Sequence, residues 1–199
     1  MAEHSSMHIN LNSAKQRIDE MDAVLASLES RVSQVKGESK VKADQLIADL
    51  KKRREEFQVV VKKQAAAGEA AWQSTKTELD SKWSAFEAQI KTYFETIGKE
   101  REQQQAIFRD IATAQAKSWR EAADRLHSEA AKVAAAKRAD VDAAVKKMKA
   151  DAVEAEAHLQ KLKQAGTESW SALSAGLAES RKAFDRANQT VRDALKRAS

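Results

Sequence analysis

The sequence predicts an all-α protein, built as an elongated antiparallel helical hairpin or coiled-coil bundle of three or four long helices. Three observations carry this prediction: the composition, apolar residues at helical spacing, and an internal repeat. Charged residues make up 33% of the 199 residues and aromatic residues only 5%, and the chain has no proline and no cysteine. Such a composition favours helices. Because large apolar side chains are few, we expect thin helical seams rather than a thick core.

The first apolar pattern begins near residue 10 and repeats every seven residues. One seam position holds Leu11, Ile18, Leu25 and Val32, and the other holds Ala14, Met21, Leu28 and Val35. Four consecutive heptads predict a coiled-coil helix. Asn10, Asn12 and Ser13 are candidate N-caps, which leaves residues 1–9 as a disordered N-terminus. The seam changes phase at Gly37, which is either a short break or a stutter.

A longer apolar stripe continues from Trp72 to Leu195 with a period of about 3.6 residues, as in a nearly straight α-helix. Glycine is the strongest helix breaker in this proline-free chain. We therefore expect candidate turns at Gly68 and Gly166, and a further break at Gly98 would give four helices instead of three. The expected three-helix layout covers residues 10–66, 70–164 and 168–197.

The chain carries one pattern twice, 98 residues apart. An Ala-Gly-x-x-x-Trp motif occupies residues 67–72 and returns at residues 165–170. Leu79, Ala85 and Phe86 likewise return as Leu177, Ala183 and Phe184. Self-similarity at a fixed period indicates an architecture assembled from copies of one unit. We predict a first coiled-coil copy over residues 10–98 and a second over residues 112–197, with residues 99–111 as a connector that can itself be helical.

All four tryptophans fall on the apolar stripe. Three precede a leucine by seven residues and the fourth precedes an isoleucine by seven, and residues one heptad apart share a helix face. We therefore expect the indoles to pack in the seams, with lipid-headgroup insertion as the alternative. The residues predicted to carry packing and self-association are Leu25, Leu28, Trp72, Leu79, Trp83, Phe86, Trp119, Trp170, Leu177 and Phe184.

The heptad helix followed by the Ala-Gly-x-x-x-Trp segment resembles a family of small bacterial coiled-coil stress-response proteins. The matching stretch runs from Ser13 to about Ile97 and includes Ile18, Leu25, Leu28, Gly68, Trp72, Leu79, Trp83 and Phe86. A degenerate second copy covers residues 112–197, where Arg181 stands at the position of Trp83. The resemblance implies stress-associated, non-enzymatic behaviour and transfers no catalytic residue. A weaker likeness is to phasins and apolipoprotein-type helices, which coat apolar surfaces.

The motifs indicate no catalytic residue, no cofactor site and no metal site. His4 and His8 lack a nearby carboxylate pair, and neither His127 nor His158 has a glutamate three residues before it. The Glu-x-x-His pattern of di-iron bundles is therefore absent from the sequence. Phosphate-loop, dinucleotide-binding and nucleophile-elbow motifs are also absent, so no small-molecule substrate is indicated. Without cysteine, disulfides and thiolate chemistry are excluded.

The net charge of +5 lies in the second half of the chain. Residues 1–100 carry 16 Lys and Arg against 16 Asp and Glu, and residues 101–199 carry 19 against 14. The two signs alternate as on an ordinary solvated helix face, so nucleic acid is not an expected partner. No signal-peptide pattern and no apolar run of membrane-spanning length occurs, which favours a cytoplasmic location.

We therefore expect a non-enzymatic structural or scaffold protein that forms a homo-oligomer and has a stress-related role. The alternative is a phasin-like peripheral binder that turns its amphipathic helices toward a membrane or a storage granule. A lesser alternative is nonspecific nucleic-acid binding through the basic second half of the chain.

Overall fold

The computed structural model describes residues 2–67, 71–96, 101–131, 138–165 and 170–198. These residues form six α-helices and no strand, which confirms the predicted all-α class. The helices are α1 (Ala2–Val32), α2 (Glu38–Ala67), α3 (Trp72–Thr96), α4 (Arg101–Ala130), α5 (Arg138–Ala165) and α6 (Trp170–Ala198). Consecutive helices pack in pairs, α2 along α3 and α5 along α6. None of the described helices combines the length and apolar character that a membrane crossing requires.

Six helices in the described ranges replace the three or four that were expected, and the first additional break lies at Gly37. Helix α1 ends at Val32 and α2 begins at Glu38. Gly37 has a φ of 63°, a left-handed conformation that glycine adopts without a Cβ penalty. The Gln34 amide donates to the Arg31 carbonyl at 3.0 Å, which satisfies one of the last carbonyls of α1. The phase change at Gly37 is therefore a helix break and not a stutter.

A second break interrupts the segment predicted as one helix over residues 70–164. Helix α4 ends at Ala130 and α5 begins at Arg138. The Arg138 side chain donates to the Ala131 carbonyl at 2.7 Å, so a basic side chain caps the end of α4. The sequence has no glycine or proline between Ala130 and Arg138 that would indicate this end.

The candidate turns at Gly68 and Gly166, and the alternative break at Gly98, lie outside the described residues. Helix α2 precedes Gly68 and α3 follows it, and in the second copy α5 precedes Gly166 and α6 follows it.

Helix α1 begins at Ala2, before the expected helix start near residue 10. Extending an existing helix costs far less than starting one, so residues 2–9 continue the heptad helix. Asn10, Asn12 and Ser13 consequently lie inside α1 and are not N-caps. At the other end of the first copy, α4 begins at Arg101 and includes most of the predicted connector.

The chain divides into two compact units that do not coincide with the two predicted copies. We call Arg17–Ala114 the central unit, and Met1–Gln16 with Gln115–Ser199 the terminal unit. Helices α1 and α4 each contribute one part to each unit. Because the two division points are also 98 residues apart, both helices are divided at equivalent positions of the repeat. Counted at the 98-residue period, with residues 1–98 as the first copy and residues 99 onward, including the predicted connector, as the second, each unit is built from parts of both copies.

Each unit has its own apolar core. Within the central unit, Lys82 pairs with Glu56 at 3.3 Å and Gln89 with Asp49 at 3.5 Å, so α2 and α3 run antiparallel. The fully buried large side chains of the central unit include Met21, Leu28, Leu50, Phe57, Phe86, Tyr93, Phe94 and Ile107. The core cluster of the terminal unit includes Trp119, Leu126, Val141, Val145, Met148, Phe184 and Val191.

Candidate functional site

The residues predicted to carry packing and self-association lie in the cores wherever the structure describes their side chains. The buried ones are Leu25, Leu28, Trp72, Leu79, Trp83, Phe86, Trp119 and Phe184. The side chains of Trp170 and Leu177 lie outside the described residues. In the terminal unit, Trp119 stacks on Phe184 with ring centroids 5.5 Å apart and an interplanar angle of 14°.

This burial changes the argument for self-association. The same residues are predicted to serve packing and self-association, and the second role requires aromatic surface that another molecule can reach. The described aromatic side chains are instead buried within the chain itself. Any contact with a second molecule must therefore use another surface, or must rebuild these units from two chains.

A cation and an indole meet in the central unit. The Arg17 guanidinium lies 5.7 Å from the centroid of the Trp83 ring and donates to Asp80 at 2.7 Å. Lys76 pairs with the other oxygen of Asp80 at 2.6 Å. Burial raises the pKa of Asp80, but the hydrogen bonds from Lys76 and Arg17 outweigh it, and the pKa lies below its ordinary 3.8. Asp80 is therefore an anion held between two cations.

The ion pairs that join α1 to α2 and α4 to α5 have opposite polarity. Arg54 of α2 donates twice to Asp22 of α1, at 2.6 and 2.8 Å, and this hydrogen bonding raises the pKa of Arg54. At the position equivalent to Asp22, α4 carries Arg120, which pairs with Glu156 of α5 at 2.7 Å. The repeat therefore keeps an ion pair between these helices while it exchanges the signs.

The contacts that join the two sequence copies use one pair of positions twice. In the terminal unit, Arg125 of α4 donates to the side-chain oxygen of Asn12 in α1, and the Asn12 amide donates to the Ala122 carbonyl at 3.0 Å. In the central unit, Ser27 of α1 donates to Asp110 of α4 at 2.9 Å. Asp110 is 98 residues after Asn12, and Arg125 is 98 residues after Ser27.

Sequence reasoning missed this set of contacts. Asn12 was interpreted as a cap, and neither Asp110 nor Arg31, which donates to Asp110 at 2.8 Å, was singled out. The signal was present, because aligning polar as well as apolar positions at the 98-residue offset places Asn12 opposite Asp110. A heptad pattern identifies the apolar face of a helix but does not identify polar residues that lie within the seam.

Several buried polar atoms lack a hydrogen-bond partner among the described residues. They include the indole N–H groups of Trp72 and Trp119, the Tyr93 hydroxyl and both amide atoms of Gln115. Burial, and then the Asp44 carboxylate, raise the pKa of Tyr93. A buried polar group without a partner costs about 1–3 kcal/mol.

The described residues contain no group of three or more His, Asp or Glu side chains placed to hold a metal ion. Comparisons with protein-family models, curated proteins and solved structures give no match to this chain. The fold and its contacts define a class, an all-α protein of two helical units that share α1 and α4.

Proposed function

We propose that the protein is a non-enzymatic structural scaffold that self-associates and acts through helix-to-helix contacts. The observation that carries the proposal is that arginine side chains form ion pairs from one helix to another. Arg17, Arg31, Arg54 and Arg120 each bind a carboxylate on a different helix. Such pairs fix which helices meet and in what register.

The sequence supplies the physiological part of the proposal. The resemblance to bacterial coiled-coil stress-response proteins favours a stress-related role in the cytoplasm. The scaffold would respond to stress by changing the extent of its assembly, since assembly needs no cofactor and no substrate. Association through helices also fits a chain that is 33% charged, because charged faces keep long helical proteins in solution.

Light scattering over a wide range of protein concentration tests the self-association. We expect the average mass to rise above the 22.0 kDa of one chain as the concentration increases. A mass of 22.0 kDa at every concentration would contradict the proposal. Added salt separates the contributions, because it weakens exposed ion pairs and leaves apolar contacts in place.

A second candidate function is reversible binding to a lipid or storage-granule surface, and the unpartnered buried groups favour it. An indole placed at a lipid interface keeps its ring in the apolar layer and its N–H among water and headgroup oxygens. Opening a unit at such a surface would give Trp119 and Tyr93 the hydrogen bonds they lack in the closed unit. The terminal unit, with 18 Lys and Arg against 13 Asp and Glu, would favour anionic headgroups.

Tryptophan fluorescence with vesicles tests this second function. We expect the emission to change with anionic vesicles and not with neutral ones. Replacing Tyr93 by Phe keeps the aromatic ring, removes the unpartnered hydroxyl and leaves every tryptophan in place as a probe, so Y93F should stabilise the closed unit and weaken the response. Emission that is unaffected by both kinds of vesicle would overturn the lipid-binding function and leave the scaffold proposal standing.

A further inference from the structure

The contacts between the two sequence copies are reciprocal. Asn12 of the first copy meets Arg125 of the second, and Asp110 of the second copy meets Ser27 of the first. Residues 12 and 110 are equivalent in the repeat, and so are residues 27 and 125. Each contact therefore joins the first of these positions in one copy to the second position in the other copy. When two identical subunits form a twofold dimer, residue i of one meets residue j of the other, and residue j meets residue i. The contacts within this single chain follow that rule.

The division of the helices follows the same rule. The first copy gives residues 2–16 of α1 to the terminal unit, and the second copy gives residues 101–114 of α4 to the central unit. The remaining parts of each copy stay together. Neither copy completes a unit alone, because each unit includes a helix segment from the other copy.

We propose that two molecules of this protein exchange copies, so that the first copy of one chain pairs with the second copy of the other chain, and the reverse. The result is a closed dimer in which both units are rebuilt with the contacts described above. The inference rests on the self-association in the proposed function and names its partner, a second molecule of the same chain. It also explains how the chain self-associates although its aromatic side chains are buried.

The energetics favour exchange at high protein concentration. Every contact within a unit is the same whether its two copies belong to one chain or to two. Within one chain, the second copy is present at an effective concentration that the linker sets, and this favours the monomer. The exchanged dimer becomes favourable as the protein concentration approaches that effective concentration. Exchange requires helices to unpack, so the two forms interconvert slowly, and refolding from denaturant is the direct route to the dimer.

The absence of cysteine from the chain permits a specific test. One full-length variant carries Ser27→Cys and the other carries Asp110→Cys, at positions whose side chains lie 2.9 Å apart in the central unit. The two variants, one of them with a mass tag, are refolded together at high concentration and oxidised. We expect a disulfide-linked pair that contains one chain of each kind, and no linked pair when S27C is refolded alone.

Two controls keep the test falsifiable. A full-length chain with both substitutions, refolded at high dilution, should form the link internally, which shows that the variants fold and that the two positions meet. A mixture of S84C and D110C measures random collisions, because Ser84 is exposed. The yield of the link between positions 27 and 110 should exceed this background several-fold.

The outcomes separate the exchange from the proposed function. A specific link between residues 27 and 110 of different chains supports the exchange. Assembly in light scattering without that link overturns the exchange and leaves self-association through another surface. A chain that stays monomeric after refolding at every concentration overturns both.

Discussion

The central and terminal units place an indole against the same phenylalanine position, but from different helices. In the central unit, Trp83 of α3 lies 6.0 Å from Phe86, and the two ring planes are tilted by 33°. In the terminal unit, Trp119 of α4 lies 5.5 Å from Phe184 in a stacked arrangement. Phe86 and Phe184 are equivalent in the repeat, and both are buried.

The two tryptophans are not equivalent to each other. The position of Trp119 is held by Met21 in the central unit, and the position of Trp83 is held by Arg181 in the terminal unit. The indole that packs on this phenylalanine therefore comes from α3 in the central unit and from α4 in the terminal unit. The comparison teaches that the repeat preserves the filling of its core better than the identity of its residues, as expected where the packed volume decides stability.

The largest effect is expected when the indole of the terminal unit is removed. Trp119→Ala should lower the free energy of unfolding by about 3–5 kcal/mol, because it leaves a cavity beside Phe184. The matched change Met21→Ala in the central unit removes a smaller side chain and should cost less. Chemical denaturation followed by circular dichroism measures both. Val153→Ala, at an exposed position, should change the free energy by no more than about 0.5 kcal/mol.

A transplant tests whether the two core arrangements are interchangeable. Trp119→Met combined with Arg181→Trp gives the terminal unit the residues of the central unit. The double variant should recover about 1–2 kcal/mol of the stability that Trp119→Met loses alone, because the equivalent Met21 and Trp83 are both buried in the central unit. A double variant whose losses simply add would show that the two sites are independent. Denaturation midpoints of the four proteins in this cycle provide the measurement.

The break between α1 and α2 distinguishes the copies at a single residue, since the second copy has Ala135 where the first has Gly37. Gly37→Ala should destabilise the protein by about 1–2 kcal/mol, because an alanine at a positive φ is strained. No atom lies within 4 Å of the added Cβ, so the effect arises from the backbone alone. Gly37→Asn is the matched control, since asparagine adopts this conformation more readily. Equal losses in both variants would contradict the explanation.

The two units should also differ in how much stability they lose at low pH, although this effect is smaller than those above. Because the folded-state pKa of Asp80 is lowered, its contribution to stability is present above the ordinary pKa of 3.8 and is lost as pH falls through the folded value. Asp80→Asn should cost at most about 1 kcal/mol at neutral pH and remove that part of the acid loss. The equivalent residue in the terminal unit is Ala178, which does not titrate.

Thermal melts of the wild type and D80N from pH 7 to pH 2 measure the difference. Glu95→Gln is the control, because the pair that Glu95 forms with Lys91 at 3.7 Å is exposed to solvent. If D80N and wild type lose stability in parallel below pH 4, Asp80 makes no such contribution.

The parts of the fold that depend on spacing could be predicted from the sequence, and the parts that depend on partner choice could not. Heptad spacing placed Leu25, Leu28 and Phe86 on buried faces. A phase change alone does not distinguish a stutter from a left-handed glycine, so Gly37 stayed ambiguous. A heptad defines a face but not the helix it meets, which is why the division of α1 between two units was not foreseen.

The division of α1 also sets an order of events during synthesis of the chain. The central unit consists of one continuous segment, Arg17–Ala114, and all of it is available before the terminal unit is complete. The terminal unit closes through Asn12 and Arg125, which are 113 residues apart. Contacts at such separations form slowly, because the intervening chain must first be brought together. Residues 2–16 therefore wait for α4, α5 and α6, although they precede the whole central unit in the sequence.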